Sequence, residues 1–391
     1  MSREDFEMND KTKMIHGYHA FDGETGASSI PIYQCSTFKQ DSIKEGQPYT
    51  YSRFGNPTRT ALEEAIAALE NGEYATAFAS GMGAISAVLL SFSQGDHLVM
   101  CKSIYGGTFQ LVNEVMKRFG IEVTFVDETD LNEWEHAIRP NTRGLYLETP
   151  SNPLLSVTDI AGVVAIAKAH HLVTMIDNTF MTPQFQKPLA LGVDIVIHSA
   201  TKFINGHSDV VAGLVITNDE KWHDQIKLQQ KVLGGILGVE DCWLTMRGLK
   251  TMALRMEQSA RSAEKISQML ENHPAIQKVH YPGLSNHPGY DIHKRQATSG
   301  GAVLSFELVN QEAVYTFAEA LQIPIAAVSL GGVESILSYP VTMSHACVPR
   351  EEREKQGITD GLLRLSVGIE DTEDLLADLE QALAKVRVTV K

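Results

Sequence analysis

Seven short apolar segments alternate with helical segments between residues 75 and 217, and this alternation limits the possible fold more than any other feature of the sequence. We predict strands at residues 75–79, 97–101, 122–126, 144–148, 173–176, 194–197 and 213–217. Helices are predicted between them, among others at residues 83–92, 109–119 and 160–169. Such alternation predicts an α/β domain with a mostly parallel, seven-stranded sheet that helices cover on both faces.

The first 60 residues have a different character. They show little periodicity, yet they contain Tyr51 and Arg53, which are unusual residues for a disordered tail. We therefore predict that residues 1–60 form an arm that packs on a neighbouring subunit. A helix is predicted to begin at Thr60, because apolar residues recur at helical spacing from there.

The alternation ends near residue 240. A long helical region then runs to about residue 272, and it is followed by predicted strands at 278–281, 302–308, 325–330 and 362–367 and a helix at 372–385. This order predicts a smaller C-terminal α+β domain. The three predicted units are the arm at 1–60, a ligand-binding domain at 61–245 and a C-terminal domain at 246–391.

Charge and cysteine usage bear on partners and compartment. The chain has 33 basic and 48 acidic residues and a net charge of −15, which argues against nucleic acid and anionic membranes as partners. It begins without the apolar segment of a secretion signal, and no apolar run reaches the length of a membrane span. The histidines lack metal-ligand spacing, so we expect no metal site. Widely scattered cysteines predict reduced thiols in a cytoplasmic protein; they are Cys35, Cys101, Cys242 and Cys347.

Two familiar ligand-binding and catalytic patterns are incomplete in this chain. Residues 80–86, Ser-Gly-Met-Gly-Ala-Ile-Ser, follow a strand and open a helix, which suits phosphate binding. Ser86 occupies the third glycine position of the dinucleotide fingerprint, and no Walker lysine pattern is present. Ser199 and Lys202 match the S-x-x-K of penicillin-recognising serine enzymes, but the S-D-N and K-T-G segments of those enzymes are missing.

Lys202 and Asp177 each follow a predicted strand at the sheet edge where α/β proteins bind ligands. By themselves they are also compatible with a surface lysine and a helix N-cap. A lysine that bonds to a carbonyl cofactor, an aspartate for a pyridinium nitrogen and an amide-rich phosphate loop are together what a pyridoxal phosphate enzyme needs.

Several longer segments occur in the order that one enzyme family shows. They are residues 31–34 (PIYQ), 51–53 (YSR), 56–58 (NPT), 80–82 (SGM), 105–108 (YGGT), 148–153 (ETPSNP), 177–179 (DNT) and 199–202 (SATK). Through them the chain resembles, over almost its whole length, the fold-type I pyridoxal-phosphate enzymes of the Cys/Met metabolism (trans-sulfuration) family. The resemblance implies the transferase-like fold of that class, pyridoxal 5′-phosphate bound by residues 61–245, and a homotetramer built from dimers that share active sites.

The resemblance also implies roles at the cofactor. Lys202 would bond to the cofactor and later move protons, Asp177 would keep the ring nitrogen protonated, and Tyr105 would stack on the ring. The phosphate would be bound by backbone amides and hydroxyls, namely those of Gly81, Met82, Ser199 and Thr201.

Further roles concern the substrate and the neighbouring subunit. Arg364 would fork onto the substrate α-carboxylate, so that Lys202, Tyr105 and Arg364 are the expected catalytic residues. Asn152 and Ser329 would orient cofactor or substrate. Tyr51 and Arg53 would reach the phosphate bound by the neighbouring subunit. The expected substrate is a small sulfur amino acid.

Four positions bear on which reaction the family resemblance implies. Cystathionine γ-lyases and γ-synthases usually have glutamate where this chain has Val328, and γ-lyases often have glutamate and arginine at Thr50 and Gln110. Methionine γ-lyases typically have cysteine at Gly107. Together with segments 178–183, 238–244 and 333–340, this favours the bacterial cystathionine β-lyase branch. We therefore expect β-elimination of L-cystathionine to homocysteine, pyruvate and ammonia. γ-Elimination from cystathionine or methionine is the alternative, and a non-catalytic pyridoxal-phosphate-binding regulator is a more remote one.

Overall fold

A computed structural model describes residues 8–17, 21–344, 346 and 350–387, apart from the side chain of residue 352. Residues 1–7 and 18–20 of the predicted arm, Cys347 and residues 388–391 lie outside the described part. The larger of the two sheets has seven strands in the order β1-β7-β6-β5-β4-β2-β3. Its strands are β1 Tyr74–Phe78, β2 His97–Cys101, β3 Glu122–Val126, β4 Thr142–Glu148, β5 Val173–Asp177, β6 Ile195–Ser199 and β7 Gly213–Thr217.

The large sheet is parallel from β3 through β6 and antiparallel where β7 pairs with β6 and β1. This confirms the predicted mostly parallel, seven-stranded sheet. Strands β4, β5 and β6 end side by side, with Glu148 of β4 paired to Asp177 of β5. Because ligands bind beyond the carboxyl ends of parallel strands, this edge is the place to look for a site.

The smaller sheet has five strands in the order β10-β11-β12-β9-β8. They are β8 Ile276–His280, β9 Val303–Leu308, β10 Ile325–Ala326, β11 Ile336–Ser338 and β12 Leu362–Ser366. The smaller α+β domain predicted at the C-terminal end is thus present, but the strand predicted at 325–330 stops at Ala326 and strand β11 was not predicted. The predicted strand could not have extended through Ser329, because the φ of this residue is 90°, which a strand does not accommodate.

Fourteen α-helices lie in the described part of the chain. They are α1 Asp10–His16, α2 Pro57–Glu70, α3 Gly81–Leu89, α4 Gly106–Gln110, α5 Leu131–His136, α6 Ile160–Ala169, α7 Thr182–Phe185, α8 Glu220–Leu233, α9 Val239–Leu249, α10 Met252–Glu271, α11 Tyr290–Gln296, α12 Gln311–Ala320, α13 Arg350–Lys355 and α14 Thr372–Leu383. Many begin at a side chain that accepts a backbone N–H, as Asn56 does for α2 and Ser80 does for α3.

Five predicted helices differ from the structure. The helix predicted at 83–92 spans Gly81–Leu89, and the helix predicted at 372–385 ends at Leu383. The helix predicted to begin at Thr60 begins at Pro57, because Asn56 caps it. The helix predicted at 109–119 begins at Gly106 and continues as a π-helical turn and a 3₁₀ turn. The long region to residue 272 is divided into α9 and α10 at Lys250 and Thr251, and Arg255 of α10 donates through Nη2 to the Gly248 carbonyl of α9 at 2.8 Å.

The large and small sheets have separate hydrophobic cores, one around β1–β7 and one around the small sheet and α14. Most of residues 21–56 is exposed or half-buried and irregular. The predicted limits at 60/61 and 245/246 fall inside α2 and α9, and the division into three units stays a prediction.

Candidate active site

Lys202 lies in the turn after β6, close to the predicted edge of the sheet. Its amide donates to the Ser199 carbonyl at 3.2 Å, and its Nζ donates to Ser329 Oγ at 2.6 Å. Burial, reinforced by the charge of Arg364, lowers the pKa of the Lys202 amine to about 8, while Asp177 acts in the opposite direction. An amine with such a pKa can act as base and acid near neutral pH.

Asp177 ends β5 and is 8% exposed. Burial raises the pKa of Asp177, and hydrogen bonds from Thr179 together with the charges of His198 and Lys202 oppose that rise. Thr179 donates its backbone N–H to Asp177 Oδ1 at 3.0 Å, and its Oγ1 accepts the Ser199 N–H at 2.8 Å. Asp177 is thus tied to the strand that leads to Lys202.

The phosphate-binding segment predicted at 80–83 forms the start of α3. Ser80 Oγ accepts the Gly83 N–H at 2.9 Å. A Cβ on Gly81 would lie 3.0 Å from both Cβ and Oγ of Ser199, so glycine is what lets the helix start approach β6. Thr201 Oγ1 accepts the Ala212 N–H at 2.9 Å and donates to the Ala212 carbonyl at 3.2 Å. The hydroxyl of Thr201 is therefore already engaged, whereas that of Ser199 faces the helix start.

Tyr105 stands at the start of α4 with 46% of its surface exposed. Its backbone N–H donates to Glu148 Oε2 at 2.9 Å. A Cβ on Gly107 would lie 2.6 Å from the Tyr105 ring and 2.8 Å from Met82 Sδ. The absence of a side chain at 107 thus leaves room for the ring of Tyr105, which is free to stack on a planar ligand.

Arg364 of β12 is buried and connects the small sheet to the site. Its Nη1 donates to Asn152 Oδ1 at 2.8 Å, and its Nη2 donates to the Ser329 carbonyl at 2.7 Å and to Ser338 Oγ at 3.1 Å. Burial lowers the pKa of Arg364 to about 10. Its Nε has no hydrogen-bond partner among the described residues, so a buried cation with a free donor is available for an anionic ligand.

Tyr51 and Arg53 make their described contacts elsewhere. Arg53 Nη1 donates to the Lys231 carbonyl at 2.8 Å, and its guanidinium lies 4.8 Å from the Phe54 ring centroid. Tyr51 is 40% exposed. A single chain therefore brings together the predicted residues of the sheet edge, but its own Tyr51 and Arg53 lie on the arm surface.

Three residues of this edge were not predicted. Thr179 donates a hydrogen bond to Asp177, and Ser338 accepts one from Arg364. Glu148 is buried beside Asp177; burial and the Asp177 charge raise its pKa well above the usual range. Thr179 and Glu148 lie in the quoted segments DNT and ETPSNP, which could have suggested them, whereas no sequence signal pointed to Ser338.

The residues present fit pyridoxal phosphate. The unpaired Nε of Arg364 and the close approach at Gly81 provide for two anionic groups, a substrate carboxylate and a phosphate. Lys202 supplies an amine for the aldehyde, and Asp177 a buried carboxylate for the ring nitrogen. Among the described residues, there is no group of three or more His, Cys, Asp or Glu side chains that could hold a metal ion. None of the described helices is long and apolar enough to cross a membrane.

The fold and this site define a fold-type I pyridoxal-phosphate enzyme. The family model for Cys/Met metabolism PLP-dependent enzymes matches residues 11–384, and the chain belongs to this family. It is 56% identical to cystathionine beta-lyase MetC of Bacillus subtilis over 96% of each chain. It is 52% identical to cystathionine gamma-lyase of the same organism, over 97% of this chain and all of that one. A crystal structure of cystathionine gamma-lyase from Lactobacillus plantarum complexed with L-serine superposes with a TM-score of 0.94 and 48% identity, covering 97% of this chain and 99% of that one.

Proposed function

We propose that the protein is a carbon–sulfur lyase that catalyses β-elimination of L-cystathionine, giving homocysteine, pyruvate and ammonia. One observation carries the proposal. The Ser329 hydroxyl accepts a hydrogen bond from the Lys202 amine at 2.6 Å, and the Ser329 carbonyl accepts one from Arg364 at 2.7 Å. An α-carboxylate held by Arg364 therefore brings the Cα proton of an amino acid to the neighbourhood of the Lys202 amine.

The residues of the chain divide the work as follows. Arg364 binds the α-carboxylate, and Asn152 holds the guanidinium through its Oδ1. When bound, pyridoxal phosphate supplies an aldehyde for the substrate amine and a ring that takes up the electron pair left at Cα. Asp177 holds a proton on the ring nitrogen. The Lys202 amine removes the Cα proton and, as an ammonium, returns it to the departing sulfur.

The balance of the reaction identifies its products. The Cα–H and Cβ–S bonds of cystathionine break, and homocysteine leaves as a thiol after it receives the proton. The remaining three-carbon fragment takes up one water and releases pyruvate and ammonia. γ-Elimination would instead break the Cγ–S bond and, with one water, release cysteine, 2-oxobutyrate and ammonia.

Three positions support β- over γ-elimination. Val328 is 66% exposed next to Ser329, so an uncharged side chain stands where cystathionine γ-lyases and γ-synthases usually have glutamate. Gln110 donates to Glu114 Oε2 at 3.2 Å and brings no positive charge. Methionine γ-lyases typically have cysteine at the position of Gly107, and a side chain there would require the Tyr105 ring or Met82 to move.

The direct test is to identify the keto acid. Purified protein loaded with pyridoxal phosphate is incubated with L-cystathionine, and the products are separated and identified. We expect pyruvate with homocysteine. A product mixture dominated by 2-oxobutyrate and cysteine would support γ-elimination, and no turnover of any thioether amino acid would favour a regulator.

We also propose that the enzyme is a cytoplasmic homotetramer of dimers that share active sites. Tyr51 and Arg53 on the exposed arm support sharing, and the free thiols of Cys35, Cys101 and Cys242 suit a reducing compartment. Inactive Arg53→Ala and Lys202→Ala subunits are refolded together, and light scattering gives the mass. Mixed dimers contain one intact site, so about one quarter of the wild-type sites should be recovered. No recovery, with mixed dimers verified by mass, would show that each site is built from one chain.

A further inference from the structure

A chain of buried polar side chains adjoins the candidate site and has no part in the steps above. It starts with Glu70, the last residue of α2, and His198 of β6. His198 Nε2 lies 2.5 Å from Glu70 Oε1, and both side chains are 0% exposed. Glu70 Oε1 also accepts from Asn178 Nδ2 at 3.4 Å. The pair thus reaches the residue that follows Asp177.

The same chain continues to the loop after β4. Asn178 Nδ2 donates to the Gln186 carbonyl at 3.0 Å, and Gln186 Nε2 donates to Asn178 Oδ1 at 2.9 Å and to the Thr149 carbonyl at 3.1 Å. Asn178 and Gln186 are each 1% exposed. The network therefore joins the three segments that carry the lysine, the aspartate and the asparagine of the site.

Glu70 occupies an unfavourable position for a carboxylate. It ends a helix, where the free carbonyl groups already carry negative charge, and the last turn of α2 contains no basic residue. Glu70 Oε2 and His198 Nδ1 have no hydrogen-bond partners within the described chain. Well-packed apolar side chains often serve stability as well as a buried polar pair does. A role beyond packing is therefore expected for the pair.

His198 belongs to the strand that pairs with the end of β5. Asp177 pairs with Ile197 of β6, and His198 is the next residue on that strand. Burial raises the pKa of Asp177, and the charge of His198 is one of the interactions that lower it again. Glu148 lies opposite on β4, and the charge of Asp177 raises the pKa of Glu148. A positive charge on the β6 side offsets this repulsion.

We propose that Glu70 and His198 are positioning residues for the cofactor: the Glu70 carboxylate fixes the His198 ring next to Asp177, and His198 favours the ionised Asp177 that holds a proton on the ring nitrogen. The inference rests on the proposed assignment of Asp177 to that nitrogen. It adds two residues that act through Asp177 without touching cofactor or substrate.

The test compares Glu70→Gln with a matched control on the same helix. Glu63 is also a buried carboxylate of α2, but it accepts the Ala77 N–H at 2.9 Å and pairs with Lys227 at 3.2 Å, away from Asp177. The dissociation constant of pyridoxal phosphate, the pH midpoint of its visible absorption and the melting temperature of the apoprotein are measured for Glu70→Gln and Glu63→Gln.

For Glu70→Gln we expect the dissociation constant to rise about tenfold and the absorption midpoint to move up by about half a pH unit or more. When the ring nitrogen is protonated less often, the ring withdraws less electron density from the nitrogen that links Lys202 to the cofactor. The linking nitrogen then keeps its own proton to a higher pH. Glu63→Gln should lower the melting temperature and leave both cofactor measurements unchanged.

His198→Gln is the second variant, because it keeps a donor for Glu70 and removes the imidazole. We expect the same two changes, and this variant decides the matter if Glu70→Gln does not fold. Loss of thermal stability alone in both variants would overturn the proposal. Asp177→Asn separates this failure from that of the site assignment. If it too binds the cofactor like the wild type, Asp177 itself has been assigned wrongly.

Discussion

Arg364 of the small sheet donates through Nη1 to Oδ1 of Asn152, in the loop that follows β4 of the large sheet, at 2.8 Å. The two residues are 212 positions apart in the chain. This hydrogen bond fixes the plane of the guanidinium, and the remaining contacts of Arg364 hold its second nitrogen. The guanidinium proposed to bind the carboxylate is therefore oriented before any ligand arrives, which favours tight binding of a planar anion.

Replacing Arg364 with lysine should raise the KM for L-cystathionine about 100-fold, because an ammonium keeps the charge but cannot form the fork. The visible absorption of the bound cofactor should stay that of the wild type. Ser338→Ala, which removes one of the acceptors of Arg364, should raise KM only about threefold. Steady-state kinetics measure both. An unchanged KM in the lysine variant would mean that the carboxylate binds elsewhere.

Ser329 combines a hydroxyl that bonds the Lys202 amine with a left-handed backbone, at a φ of 90°. Ser329→Ala should lower kcat about tenfold, because the amine loses the group that positions it. Ser329→Gly should lower kcat equally but melt at a higher temperature than the alanine variant, since glycine adopts this φ without strain. Full activity in both variants would exclude a positioning role for the hydroxyl.

The pH dependence of cofactor loading follows from the lowered pKa of the Lys202 amine. The neutral amine attacks the aldehyde, and with a pKa of about 8 about one amine in ten is neutral at pH 7. The loading rate of the apoprotein should rise with pH and level off above pH 8. Stopped-flow absorbance measures it, with N-acetyl-lysine amide as a control whose rate should continue to rise. A protein rate that also rises through pH 9 would contradict the lowered pKa.

Acid should destabilise the protein through His287. Burial, helped by the neighbouring His280 and His293, lowers the pKa of His287 to about 4. The unfolded chain takes up this proton near pH 6.5 and the folded chain only near pH 4, so stability is lost as the pH falls between these values. Because His287 is half-buried, we expect a loss of about 1–2 kcal/mol in the free energy of unfolding.

His287→Gln tests this source of acid sensitivity. His287 Nδ1 accepts the Gly289 N–H at 3.1 Å, and glutamine offers an oxygen for the same donor. Urea unfolding at pH 7 and pH 4.5 gives the free energy of unfolding for both proteins. The variant should lose less between the two pH values than the wild type does. Equal losses would place the sensitivity in other groups.

Much of the fold could be predicted because its signal is local. Strands β2, β3 and β7 and helix α6 have the predicted limits, since each is a short apolar segment bounded by turn residues. The end of β10 and the break between α9 and α10 could not be predicted. Ser329 follows β10 and contacts Lys202, 127 positions away, and Arg255 of α10 contacts the Phe203 carbonyl, 52 positions away. Contacts between such distant parts of the chain leave no local signal in the sequence.

The sequence by itself determined which chemical groups this protein can use: the lysine and aspartate after neighbouring strands, the small residues at the start of α3, and the family to which these segments belong. The tertiary structure alone decided that Ser329 joins Lys202 to Arg364, and that Glu70 contacts His198 on the strand that pairs with Asp177. The reason is physical. Propensity and periodicity act over a few neighbouring residues, whereas burial, charge and hydrogen bonding act between side chains that only the folded chain brings together.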